Sequence, residues 1–212
     1  MTTRQSGVTL PERAYLIAYD PEKGKLSGGG THAHLVRAAA LVELLLGHQL
    51  VDEGGKARAA GGGTDDPVLS AMLEQIRGSK PRPWKHWVNK DRTATYEAVR
   101  ERLGDLRVIK VERTRLLGVL AKDIVTVHDP RVVRELIAAS RGAVLGGTPI
   151  AQLDARVAAL VGLVAAVELN TVFSGRERRE HRDRIAHLAG QAGPAAKALR
   201  RVFEDQQASP VV

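Results

Sequence analysis

Between Thr31 and Gly47 the chain reads "THAHLVRAAALVELLLG", an apolar run interrupted by two histidines, Arg37 and Glu43. That pattern predicts one apolar helix with Thr31 as its N-cap and Gly47 at its end. A second run, "VAALVGLVAAV" at 157–167, is bracketed by Arg156 and Glu168. Its 11 residues fall short of the roughly 20 that span a bilayer, so it is expected to be a buried core helix.

Weaker periodicities and their punctuation fill in the rest. Thr9 before "LPERAYLIAYD" predicts a capped helix with Pro11 in its first turn. "DPEKGK" (20–25) is a turn, and "QLVDEGGKARAAGGG" predicts a β-hairpin turning at Gly54–Gly55. "TDDPVLSAMLEQIRGS" (64–79) predicts a helix ended by Gly78, with Asp65–Asp66 at its N-terminus, where acids suit the macrodipole. "KPRPWKHWVNK" (80–90) predicts a loop and a short helix, and "DRTATYEAVRERLGD" a helix closed by Gly104. Residues 106–129 predict strands meeting near Gly118. Further helices are expected at about 130–140, 149–173, 176–190 and 194–206, with Pro149 and Pro194 in first-turn positions. The stretch at 140–149 is expected to be a hinge or exposed loop. Helix, glycine, then strand or hairpin occurs twice, which is also the plan of a winged helix.

Composition narrows the fold. Aromatics make up only 3% of the chain against 43% hydrophobic residues, so the core must be built from Leu, Val, Ile and Ala, which favours helix packing. The 26% charged content is that of a globular chain. There are no cysteines, which removes disulfides, thiol nucleophiles and cysteine-based zinc sites and suits the cytoplasm. "MTTRQSGVTLPER" has no apolar signal-peptide core. A net charge of +8 suits an anionic partner such as nucleic acid, a membrane surface or a phosphate.

No phosphate-binding loop, dinucleotide fingerprint, zincin motif or nucleophile elbow occurs, and no catalytic set is found. No cofactor is expected. His32 and His34 stand two residues apart on a helix, a poor spacing for one metal, and are expected at surface or first-turn positions. Arg37 is the unusual charge: Glu43 is six residues away, the wrong spacing for an ion pair on one helix face. Two partners suit it. Gly28–Gly29–Gly30 leads into a helix N-terminus able to hold a phosphate or sulfate, to which Arg37 would add formal charge. Alternatively, Arg37 reaches out of a packed helix to an acid from elsewhere in the fold. "GRERREHRDR" (175–184) has the mixed signs of a solvated helix face or a basic docking surface. In "KPRPWKHW" at least one tryptophan is expected in the core, an interfacial contact being the other use of such a stretch.

"HLVRAAALVELLLGHQL" (34–50) resembles the helix that opens the Golgi phosphoprotein 3 domain. The order of "LPERAYLIAYDPEKGK", "PWKHWV", "YEAVRERLGDLRVIKVE" and "LDARVAALVGLVAAVELNTVF" fits the same family over roughly residues 8–205. The resemblance implies a single, mainly α, multi-helix domain with short β-hairpins over 8–206, flanked by flexible termini at 1–7 and 207–212. It implies a non-enzymatic peripheral membrane protein binding phosphatidylinositol 4-phosphate, or another anionic headgroup, through a basic pocket. The pocket arginine of the opening helix falls on Arg37. The family's late-helix arginines fall near Gln152 and Ala155, where Arg156 is the basic neighbour, and its pocket tryptophan falls at Gly28 or Gly29. Arg37 and Arg156 are therefore the candidate headgroup ligands. The Ala-, Gly- and Arg-rich composition resembles a high-GC bacterial protein, which would place the chain in the cytoplasm, on the inner membrane face. Homo-oligomers occur in the family and are left open here. The alternative is a winged-helix-like nucleic-acid-binding protein.

Overall fold

The structure, a computed structural model, describes residues 8–27, 29–116 and 120–208. The expected flexible residues 1–7 and the tail beyond 208 lie outside the described residues, as do Gly28 and Gly118.

Helix α1 (Leu10–Leu16) starts where Thr9 predicts, with Pro11 in its first turn and the Glu12 carboxylate accepting from the Thr9 amide at 2.7 Å. A two-residue hairpin, β1 (Tyr19–Asp20) with β2 (Lys25–Leu26), follows; the Asp20 side chain accepts from the Glu22 and Lys23 amides inside its turn. Next comes α2 (His32–Leu46), entered through a 3-10 turn at Gly29–Thr31. It is buried from His34 to Leu44 and touches α1 on one side. Being apolar all round, it can satisfy its surface only by being surrounded.

The hairpin of β3 (Leu50–Glu53) and β4 (Lys56–Ala59) turns at Gly54 and Gly55, both at positive φ, as a two-residue turn of this hand requires. Helix α3 (Pro67–Arg77) is capped by Asp66, whose Oδ1 accepts from the Val68 and Leu69 amides. Residues 80–90 form a third strand, β5 (Arg82–Pro83), paired to β4, and then α4 (Trp84–Asn89). Helix α5 (Arg92–Asp105) leads into the ribbon of β6 (Ile109–Leu116) and β7 (Leu120–Val127), paired from Ile109↔Val127 to Leu116↔Leu120. Then come α6 (Pro130–Leu145), α7 (Ala155–Ala166), α8 (Gly175–Glu180), α9 (Arg182–Gln191) and α10 (Gly193–Ala208). Helices dominate and the strands form only short antiparallel pairs, so the domain is mainly α, as expected. The central α2 is ringed by α1, α4, α5, α7 and α10.

Helix ends differ most from expectation. Helix α5 runs through Gly104 and ends because Arg107 turns left-handed (φ 55): the Arg107 amide bonds the Gly104 carbonyl and the Val108 amide the Leu103 carbonyl. His48 after α2 (φ 60) and Glu168 after α7 (φ 52) make the same paired bonds, to Leu45 and Leu44 and to Ala165 and Val164. All three are Schellman ends with a non-glycine residue in the position that favours glycine. The helix expected at 149–173 is three pieces: a 3-10 turn at Ile150–Gln152, then α7 capped by Asp154, then turns from Val167. The segment 176–190 breaks at His181, α6 continues to Leu145 so that the expected loop at 140–149 shortens to its last few residues, and α10 carries Gln207 and Ala208 within the helix. Helices α7 and α9 approach so closely that a Cβ on Gly162 would stand 2.6 Å from the Ala189 Cα.

Candidate functional site

Arg37 points from the second turn of α2 into the space between α3, α4 and α5. It is 1% exposed. Its Nε donates to the Trp87 carbonyl at 3.0 Å, Nη1 to Thr95 Oγ1 at 2.7 Å and Nη2 to Gln75 Oε1 at 3.2 Å. None of these acceptors is a carboxylate. The Trp87 carbonyl belongs to the last turn of α4, where helix carbonyls lack an internal partner and the backbone dipole favours a cation. Burial lowers the Arg37 pKa to about 10 and Asp91 pushes it back up, so the guanidinium stays charged at neutral pH.

Glu43, the other charge of α2, faces a different side of the helix. Arg156 grips it from Nε at 2.9 Å and from Nη2 at 2.6 Å, and the Leu10 amide donates to Glu43 Oε2 at 2.8 Å. This knot ties α1, α2 and α7. Arg37 and Arg156 share no partner: six residues along a helix turn Glu43, and the arginine that binds it, away from Arg37. The single basic pocket expected around both side chains is therefore not assembled. Half of the Arg156 side chain, 48%, remains exposed.

The two histidines are first-turn residues, as expected, but buried rather than on the surface. His32 Nε2 faces the Tyr15 carbonyl at 3.2 Å, and its ring lies about 5 Å from both Tyr15 and Tyr96. His34 Nε2 meets Asn89 Oδ1 at 3.1 Å. Among the described residues no group of histidines and carboxylates could hold a metal ion. Trp84 and Trp87 are both buried, and Trp84 Nε1 donates to Asp52 Oδ1, which removes them as an interfacial anchor. In 175–184, Arg178 bonds the Phe173 carbonyl and Arg184 the Ala143 and Thr148 carbonyls, so part of that basic run closes loops.

Beside Arg37 a cleft of about 450 Å³ opens between α3 and α5. Val68, Ala71 and Met72 of α3 face Ala94 and Ala98 of α5 across it, and Asp91, Glu101 and Asp105 line its α5 side. No local motif announces this site. Its parts come from segments that are far apart in sequence, and only their burial pattern could have brought them forward.

A buried central helix ringed by helices, with short hairpins at the margin, defines a mainly α domain whose polar site lies between helices. Residues 10–206 match the family model for Golgi phosphoprotein 3 (GPP34), and the chain belongs to that family. No curated protein matches the chain. Among the described residues no helix is long and apolar enough to cross a membrane. The two helix–hairpin units are present, but α2 is buried along its length and has no face to lay in a nucleic-acid groove.

Proposed function

We propose that this protein is a peripheral membrane protein that docks on an anionic phosphate headgroup, of the phosphatidylinositol 4-phosphate type, at the cytoplasmic face of a bacterial inner membrane. The observation that carries the reading is the unequal placement of charge. Glu12, Glu43 and Asp20 are buried, and Asp66, Asp129 and Asp154 are occupied as helix caps. Lys56, Lys80, Arg113, Arg179, Lys197 and Arg201 are exposed and make no ion pair among the described residues. With three acids buried against one base, Arg37, the net +8 is expressed at the surface, where it attracts polyanions. Family membership supplies the lipid context and the Ala-, Gly- and Arg-rich composition the bacterial one. Of the two candidate arginines, Arg156 has solvent-facing surface for a headgroup, and Arg37 serves by holding α2 against α4 and α5.

Co-sedimentation tests this with vesicles of phosphatidylcholine alone, with phosphatidylserine, and with phosphatidylinositol 4-phosphate. Binding to the charged vesicles only, weakened by Arg156→Gln, is expected. Competition by inorganic phosphate separates a headgroup site from a diffuse charge effect. Equal binding to phosphatidylcholine, or none to any vesicle, would overturn the reading.

A further inference from the structure

Residues 80–90, "KPRPWKHWVNK", carry Lys80, Arg82, Lys85, His86 and Lys90 and no acid. The fold sorts them by chemistry. Trp84, Trp87 and Val88 are buried, whereas all five basic residues are exposed. Both tryptophans are locked into the core, Trp84 by its bond to Asp52, so the cations stand on a rigid support. His86 and Lys90 lie four residues apart, on α4 and at its C-cap, and so share a helix face. Partial burial, and then the charges of Arg82, Lys90 and Arg37, hold the His86 pKa below the ordinary imidazole value. Arg82, His86 and Lys90 therefore lie in one positive field. Lys90 is paired with Asp91 and Lys85 with Asp205, while Lys80 and Arg82 make no ion pair among the described residues.

Three other uses of such a face do not fit it. Strand β5 is paired only to β4, and Pro81 and Pro83 have no N–H to offer an added strand. A protein partner is held mainly by buried aromatic and apolar anchors, and no large hydrophobic side chain of 80–90 is exposed. Nucleic acid is read by a helix laid in a groove or by aromatics stacked on bases. Helix α4 has only 6 residues and turns both tryptophans inward. An acidic bilayer surface needs neither a groove nor an inserted ring. Its many negative charges attract any row of cations brought within a Debye length.

We propose that the protein lies on an acidic bilayer through its β5–α4 face, with Lys80, Arg82 and Lys90 among the headgroups and neither tryptophan inserted. This rests on the membrane reading above and adds to it the face that meets the lipid; it makes no use of Arg156. The contact is electrostatic, so it weakens as salt is raised. It follows the surface charge of the vesicle rather than the identity of the acidic lipid.

The test is co-sedimentation of the full chain with phosphatidylcholine vesicles containing phosphatidylserine, at physiological salt. Wild type is compared with Lys80→Gln/Arg82→Gln/Lys90→Gln and with Arg176→Gln/Arg179→Gln/Arg182→Gln, an equal loss of charge on α8 and at the start of α9. Each cation at an acidic bilayer contributes about fivefold, so the first variant should bind at least about tenfold more weakly than the second. All six residues are exposed or partly exposed, and both variants should melt close to wild type. A second measurement needs no charge removed. The chain has no cysteine, so Ser79→Cys takes one dye beside Lys80, and quenchers on the lipid headgroups should dim it on binding. Equal binding by the two variants, or an undimmed dye on bound protein, would overturn the proposal and leave the membrane reading standing. No binding of wild type to these vesicles would overturn both. Tighter binding to duplex DNA than to vesicles, lost in the first variant, would give the face to nucleic acid and overturn the proposal as well.

Discussion

Arg37 and Trp87 are joined by a hydrogen bond of 3.0 Å from the guanidinium Nε to the backbone carbonyl. The charge of α2 is thus met by the end of α4, with Thr95 and Gln75 taking the other nitrogens. A partly compensated buried charge with neutral acceptors is a structural cation. Its removal strands the Trp87 carbonyl and takes a donor from the Thr95 hydroxyl, which keeps only its own bond to the Asp91 carbonyl.

Arg37→Met is therefore expected to lower stability by about 3 kcal/mol, and Arg37→Lys, which reaches one acceptor at a time, by about 2 kcal/mol. Urea unfolding measures both, with an unchanged m-value showing that the denatured state is the same. A loss below about 0.5 kcal/mol for the methionine variant, the level of an ordinary surface change, would contradict this role.

His32 makes stability fall in acid. Burial holds its pKa near 4, below the ordinary imidazole value of 6.5. As pH falls through 6.5 the unfolded chain takes up a proton that the folded protein refuses until about pH 4. Stability is fully present above the unfolded value and declines between 6.5 and 4, by roughly 3 kcal/mol at most, with no further loss from this residue below that window. His32→Gln should flatten that segment of a stability–pH curve. An imidazole that titrates near 6.5 in the folded protein by NMR would refute the claim.

The left-handed helix ends are improvable. His48 and Arg107 hold φ values of 60° and 55°, a conformation costing about 1–2 kcal/mol for a residue with a Cβ and little for glycine. His48→Gly and Arg107→Gly should each raise stability by about 0.5–1 kcal/mol, part of the gain being offset by the freer unfolded chain. Thermal melts should move upward for both; a fall in either would mean that its side chain contributes more than its backbone costs.

Gly162→Ala should do the reverse. The added methyl would meet the Ala189 backbone of α9, and a rigid helix backbone cannot give way as a side-chain tip can. A loss of about 2–3 kcal/mol is expected from overpacking at the α7–α9 crossing. Gly104→Ala is the control, since nothing lies within 4 Å of a Cβ there and alanine suits a helical position, here in the last turn of α5, better than glycine.

By itself the sequence determined which segments are helices, where the first hairpins turn, and that the apolar runs at 31–47 and 157–167 belong inside. These follow from periodicity, from prolines at 11 and 194, and from Asp66 and the Gly54–Gly55 pair, all of which act within a few residues of themselves. The helix ends at Arg107 and Glu168 were illegible because no local residue type favours the left-handed turn there; the paired carbonyl bonds and the packing of the next segment impose it. The fate of the charges was settled only by tertiary structure. Arg37 sits beside no acid in sequence and hydrogen-bonds none in space; its acceptors lie 38, 50 and 58 residues away. Glu43 takes its cation from Arg156, 113 residues on, because rotation along α2 turns it toward α7. Where a buried charge goes depends on which helices converge around it, and that convergence is a property of the packed core.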